Sequence, residues 1–257
     1  MACLPIGFFR MSRSPECRIS KEQTRYDTIE GASPRHSVLG KASQDMRMPS
    51  PSTMSESMHE GNIRSKLKLF AAIDRDDLDE VKRLLDTKNI GIDEDLDFSG
   101  NTAVHFAVWR STKILQLLID RGASLSKVNY DGLTPLAIAC VKNSVVSAEM
   151  ILREGVNPNN EELDGIPLLL GSVVRNNLSL AKILVKYGCD VNPNQQYGTP
   201  LVTACLLDNV EFVDFLLKSG AKPSLANSKT GTTAMQVAKE NGNELIINLL
   251  NAYEAKS

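Results

Sequence analysis

The sequence predicts an all-α solenoid of helix-turn-helix units, stacked side by side. Three observations predict it. An apolar triplet spaced i, i+3, i+4 occurs six times. Successive triplets start 34, 33, 33, 32 and 33 residues apart. The four middle triplets are each followed by glycine, at Gly122, Gly155, Gly188 and Gly220. The triplet spacing puts three apolar side chains on one helix face, and glycine just past the last turn takes the left-handed conformation that ends a helix. A unit of this size cannot bury its apolar face alone, so stacking against copies of itself is what makes it stable.

Residues 1–62 differ from the rest. They hold six of the eight methionines and many Ser, Arg and Pro residues, with eight Lys/Arg against seven Asp/Glu. No apolar periodicity is sustained, so this segment is expected to be a disordered tail. Its Ser-Pro pairs make Ser14, Ser33 and Ser50 candidate phosphorylation sites. Glu16, Glu22 and Asp27 count against an import presequence. A translation start at Met54 or Met58 is the alternative reading.

Residues 63–257 carry the array. The triplets are Val81/Leu84/Leu85, Leu115/Leu118/Ile119, Ala148/Ile151/Leu152, Ala181/Leu184/Val185, Val213/Leu216/Leu217 and Ile246/Leu249/Leu250. Before each of the last five stands a glycine-led string: GNTAVHFA, GLTPLAIA, GIPLLLG, GTPLVTA and GTTAMQVA. Thr there supplies an N-cap oxygen, and Pro at the first helical position forfeits no hydrogen bond. Six repeats follow, at 64–97, 98–129, 130–162, 163–195, 196–228 and 229–254. The first lacks the string and serves as a cap whose first helix carries Leu67, Phe70 and Ala71. The second is one residue short between its helices, at WRSTKI. In the fourth, Pro167 takes either the Thr or the Pro position, which predicts irregular stacking near 163–175.

These strings and the period near 33 resemble the ankyrin repeat signature T-P-L-H-x-A. LIDRGAS, LREGVNP, VKYGCDVN and LKSGAKPS look like that family's second-helix ending and following hairpin. The resemblance implies a protein-binding scaffold whose contacts come from hairpin tips and the outer face of each first helix, together a concave surface. Phe98, Tyr130 and Tyr197 are the implied tip contacts. Trp109, Arg110, Val141, Lys142, Arg175 and Leu207 are the implied first-helix contacts. It also gives His105 a structural hydrogen-bonding role and marks Asn192 as a candidate for asparaginyl hydroxylation, against a plain turn role.

Composition excludes other classes. A net charge of −2 lacks the basic stripe of a nucleic-acid binder, and no apolar run is long enough to insert in a membrane. The five cysteines form no CxxC pair, so neither zinc nor a disulfide framework is expected, and a reducing cytoplasm or nucleus fits. Cys140 and Cys205 are expected to be buried, whereas Cys189, in a hairpin, is the candidate for an exposed, redox-sensitive thiol. The carboxylates from Asp74 to Asp97 are expected to form a solvated cap face, or else an acidic patch that steers a basic partner. No catalytic, metal or cofactor constellation is present. The expected function is a non-enzymatic adaptor, monomeric by itself, holding a protein partner. The alternatives are an inhibitory or targeting subunit switched by phosphorylation of the tail, an enzyme with a site along the concave face, and a ubiquitin-ligase adaptor. The ending NAYEAKS leaves no room for the extra box such an adaptor would want.

Overall fold

The structure is a computed structural model that describes residues 60–87, 89–160, 162–163, 165–193 and 198–255. Ser14, Ser33, Ser50 and Tyr197 lie outside the described residues, as does nearly all of the expected tail. Among the described residues, six helix pairs follow one another. They are α1 (Glu60–Asp74) with α2 (Leu78–Asp86), α3 (Ala103–Arg110) with α4 (Thr112–Asp120), and α5 (Pro135–Val141) with α6 (Val145–Arg153). Then come α7 (Leu168–Val174) with α8 (Leu178–Lys186), α9 (Pro200–Leu206) with α10 (Val210–Lys218), and α11 (Ala234–Asn241) with α12 (Glu244–Glu254). The first helices pack on one another in order, α1 to α11, as one layer. In the second layer α2 packs on α4, α4 on α6, α6 on α8, and α10 on α12.

Local chemistry sets the helix starts. Thr134 Oγ1 accepts from Ala137 N at 3.1 Å and Thr199 Oγ1 from Val202 N at 3.2 Å, with Pro135 and Pro200 next in line. Pro167 is itself the N-cap residue of α7, so it occupies the Thr position and supplies no capping oxygen. The strands β1 (Glu162–Leu163) and β2 (Ile166–Pro167) pair antiparallel just before it.

The turns inside most pairs place Asp76, Asn143, Asn176, Asp208 or Gly242 at positive φ, residue types that tolerate the left-handed region. The following N-cap side chain reaches back one repeat. Asn209 Nδ2 donates to Asn176 Oδ1 at 2.8 Å, Asn243 Nδ2 to Asp208 Oδ1 at 2.7 Å, and Asn177 to Asn143 likewise. The second repeat breaks this ladder. Nine positions separate Ala103 from Thr112, where ten separate Pro135 from Val145, and Ser111 alone joins α3 to α4. Buried Ser147 compensates, donating to Val108 O at 2.7 Å.

The first and fourth triplet positions are buried in the first five second helices, and Ile246 with Leu250 in the last. The cap departs from expectation. Leu69, Ala72 and Ile73 enter the core, while Leu67, Phe70 and Ala71 are half-buried. α1 is apolar on two sides, and Phe70 uses the second to meet Phe106 edge-on at 4.8 Å.

Cys189 also departs from expectation: it is 7% exposed, and burial pushes its thiol up to about 11. Gly188, at φ +84°, closes α8 with Gly188 N donating to Val185 O and Cys189 N to Leu184 O, both at 3.0 Å. This helix-end motif folds the residue after glycine back onto the helix, and Ala123 and Ala221 are buried at the same place. Cys140 and Cys205 are buried as expected, and burial pushes Cys205 up to about 12. Iodoacetamide at neutral pH, mapped by mass spectrometry, should therefore leave Cys140, Cys189 and Cys205 unlabelled until denaturant is added. Labelling of Cys189 in the native state would contradict its burial.

Candidate functional site

The first hairpin is built on its own acidic side chains. Asp97 Oδ1 accepts from Ser99 N at 3.0 Å and Asn101 N at 2.8 Å, which sets the turn. Glu94 Oε1 accepts from Gly91 N at 2.8 Å, while its other oxygen lies 3.0 Å from Lys66 of α1. Burial works to raise the Glu94 carboxyl, but these partners outweigh it and hold it below the usual range. Asp93 Oδ1 accepts from Ser124 N in the next repeat at 2.8 Å. Asp95 takes Lys127 Nζ at 2.7 Å and the Tyr130 hydroxyl at 3.1 Å. Burial again works upward at Asp95, and Lys127 and Tyr130 prevail and lower it. The carboxylates from Asp93 to Asp97 are thus half-buried and bonded rather than a solvated face. Asp74, Asp76, Asp77, Asp79 and Asp86 are the exposed ones.

Tyr130 is 74% exposed yet fixed. Its N–H donates to Ser99 O at 2.7 Å, and its ring lies over Gly100, where an added Cβ would meet ring carbons at 2.9 Å. Phe98, 52% exposed, stands on the neighbouring hairpin. The two rim a hollow of about 730 Å³ whose apolar lining includes Ile63 and Leu67 of α1 and Ile92. Gly100→Ala is expected to lower the thermal midpoint by several degrees, because it adds a strained φ of +71° and displaces Tyr130. An unchanged midpoint would contradict this.

A second group gathers at the far end of α3, about 12 Å from the tips for eight residues of helix. Half-buried Trp109 has two cations over its ring, Arg110 at 4.2 Å and Lys142 of the next repeat at 4.6 Å from the ring centroid. Arg110 also pairs with Asp74 at 2.6 Å. Trp109 Nε1 is buried with no hydrogen-bond partner among the described residues. Val141 ends α5, and Arg175 and Leu207 are the C-cap residues of α7 and α9; all three are half-buried, with Val141 and Leu207 packed on the core. Of the described predicted contacts, Phe98 and Tyr130 gather at the tips and Trp109, Arg110 and Lys142 at the far end of α3, while Arg175 and Leu207 stand in later repeats. Ile63, Leu67, Ile92, Lys66 and Lys127 belong to the tip group and were missed, because they come from three separate places in the sequence. Asn192 ties two hairpins together, donating to Gly220 O at 3.0 Å and accepting from Lys222 N at 2.8 Å.

His105 is fully buried, and the nearby Lys127 and Asp95 act on its ring. Thr102 N donates to Nδ1 at 3.1 Å, so the ring proton sits on Nε2, 3.3 Å from Leu133 O. Burial lowers its pKa from 6.5 to about 4. Among the described residues no group of His, Cys, Asp and Glu is arranged to hold a metal ion, and no helix is long and apolar enough to cross a membrane.

Comparison with known proteins agrees with the helix pairs. The family model "Ankyrin repeats (3 copies)" matches residues 69–162 and 168–256, more than half of the chain. No curated protein matches the sequence. An ankyrin repeat domain from Acinetobacter baumannii AYE is 28% identical over 72% of this chain and 97% of its own, with a TM-score of 0.65. The ankyrin repeat protein EF0377 is 25% identical over 76% of this chain and 100% of its own, also at 0.65. A chain from the structure of the Bdellovibrio bacteriovorus predatory endopeptidase Bd0816 in complex with immunity protein Bd3460 is 27% identical over 72% and 97%, at 0.60. With the period, the capped first helices, the glycine-closed second helices and this match all in agreement, the chain belongs to the ankyrin repeat family.

Proposed function

We propose that this chain is a non-enzymatic adaptor that binds a partner protein across its hairpin tips and first helices. One observation carries the reading: Phe98 and Tyr130 are exposed by half or more, yet Tyr130 is pinned by Ser99, Gly100 and Asp95. An aromatic side chain held rigid in water has already met its ordering cost and suits a binding anchor. Trp109, with Arg110 and Lys142 over its ring, adds a second anchor. The face is a preformed scaffold and contributes no reactive group.

Affinity capture with the full chain tests it. Tyr130→Ala and Trp109→Ala should each weaken the captured partner by about 2 kcal/mol, roughly 30-fold. Both variants should keep their helical content. Full retention of every partner by both would refute the binding face. A narrower reading makes the partner an enzyme that the array inhibits. The likeness to the endopeptidase–immunity complex supports it, and phosphorylation at Ser14, Ser33 or Ser50 should then shift the captured enzyme's affinity. Cytoplasm or nucleus remains the proposed location, with the protein monomeric until it binds.

A further inference from the structure

The hollow beneath the first hairpin supports a more specific statement, which rests on the binding face just proposed. We propose that it receives an extended partner segment carrying an arginine beside a large apolar side chain. At about 730 Å³ it falls within the rough 300–1,000 Å³ range of ligand clefts. Ile63, Leu67, Ile92 and Phe98 offer an apolar seat for the large side chain. Of the five large apolar side chains most exposed among the described residues, Phe98, Val128 and Tyr130 stand on the two hairpins flanking this hollow. Such clustering marks an interaction site, whereas scattered exposure does not.

Charge selects the second element. Asp93, Glu94, Asp95 and Asp97 line the hollow against Lys66 and Lys127, four negative groups against two positive, a net of −2. The lysines are already committed. Lys66 pairs with Glu94, and Lys127 donates to both Asp93 O and Asp95. The carboxylates are not saturated, because each offers about four acceptor positions and Asp95 uses only two in the contacts with Lys127 and Tyr130. The hollow therefore has acceptors left over and few donors. A partner acid would meet repulsion. A guanidinium meets the surplus directly, sheds its water more readily than an ammonium, and stacks on the exposed aromatic rings at the rim.

Selection of a displayed library of short random peptides on the full chain tests this. Winning peptides should pair an arginine with a neighbouring large apolar residue. Leu67→Ser and Asp95→Asn should each weaken synthetic winners about tenfold, and added salt should weaken them further. Ile63→Ser, one turn earlier on α1, provides the same readout should Leu67→Ser impair folding. Winners without arginine, no enrichment at all, or affinities unmoved by the α1 variants overturn the proposal. If peptides insensitive to the α1 variants are lost on Trp109→Ala, the binding face stands and only the hollow's role falls.

Discussion

Leu184→Ala should destabilise the array by about 3–5 kcal/mol, the range for emptying a fully buried leucine site. Leu184 has no exposed surface and is the central member of the fourth triplet. Helix α8 is packed against α7 within its pair and α6 in the repeat before. The backbone around it is held by the turn that Gly188 and Cys189 close onto Val185 O and Leu184 O. With neighbours fixed on two sides, the site cannot collapse around the missing methyl groups, so the cost falls in the cavity-forming part of the range. Leu250→Ala removes the same atoms from an equally buried position in the last repeat. Among the described residues that repeat packs on a neighbour on one side only, so the substitution should fray α11 and α12 and leave the preceding repeats folded. Urea unfolding followed by circular dichroism, with hydrogen exchange to locate the loosened helices, separates the two patterns. A cost below about 1 kcal/mol for Leu184→Ala would mean the triplet face is not the surface between repeats.

What was legible in the sequence has a range of about one helical unit. Triplets, closing glycines and Thr-Pro strings are encoded within a few residues, and each stands where the repeat period places it. The missing residue at WRSTKI was also visible, because it shortens one spacing against four others. Contacts between repeats were harder to see. The acidic run from Asp93 to Asp97 is plain in the sequence, but Asp95 meets Lys127 32 positions later, and nothing local links the two. Trp109 could be singled out by residue type, yet Lys142 reaches its ring only because stacking brings the next repeat beside it. The cap helix was misread because LKLFAAID offers two apolar faces, and only the arrival of Phe106 and the hollow decides between them. Cys189 is different: the alanines after Gly122 and Gly220 already indicate a small buried residue at that position, and comparing the repeats column by column would have found it.

His105 provides the other large effect, and its sign follows from the direction of its shift. The folded protein holds the imidazole neutral with a pKa near 4, whereas an unfolded chain titrates near the ordinary value of 6.5. Between those values the unfolded state binds more protons, so folding stability is fully present above pH 6.5 and is lost as pH falls toward 4. Two and a half units correspond to about 3 kcal/mol. His105→Gln isolates this contribution. The same place in α11 already holds a glutamine, and Gln236 Oε1 accepts from Thr233 N at 2.8 Å, so the substituted side-chain amide can serve Thr102 N in the same manner. The substitution leaves Leu133 O without the Nε2 donor, at a cost of about 1–3 kcal/mol at neutral pH. Asp95 and Lys127, the charges that act on the ring, are common to both proteins, and Asp95 is held below the usual carboxylate range. Their effects therefore largely cancel in the difference. Urea unfolding at a series of pH values should show the wild-type advantage shrinking as pH falls from 6.5 and vanishing or reversing near 4. Parallel stability curves for the two proteins across that window would mean that the ring is charged, or open to water, in the folded state.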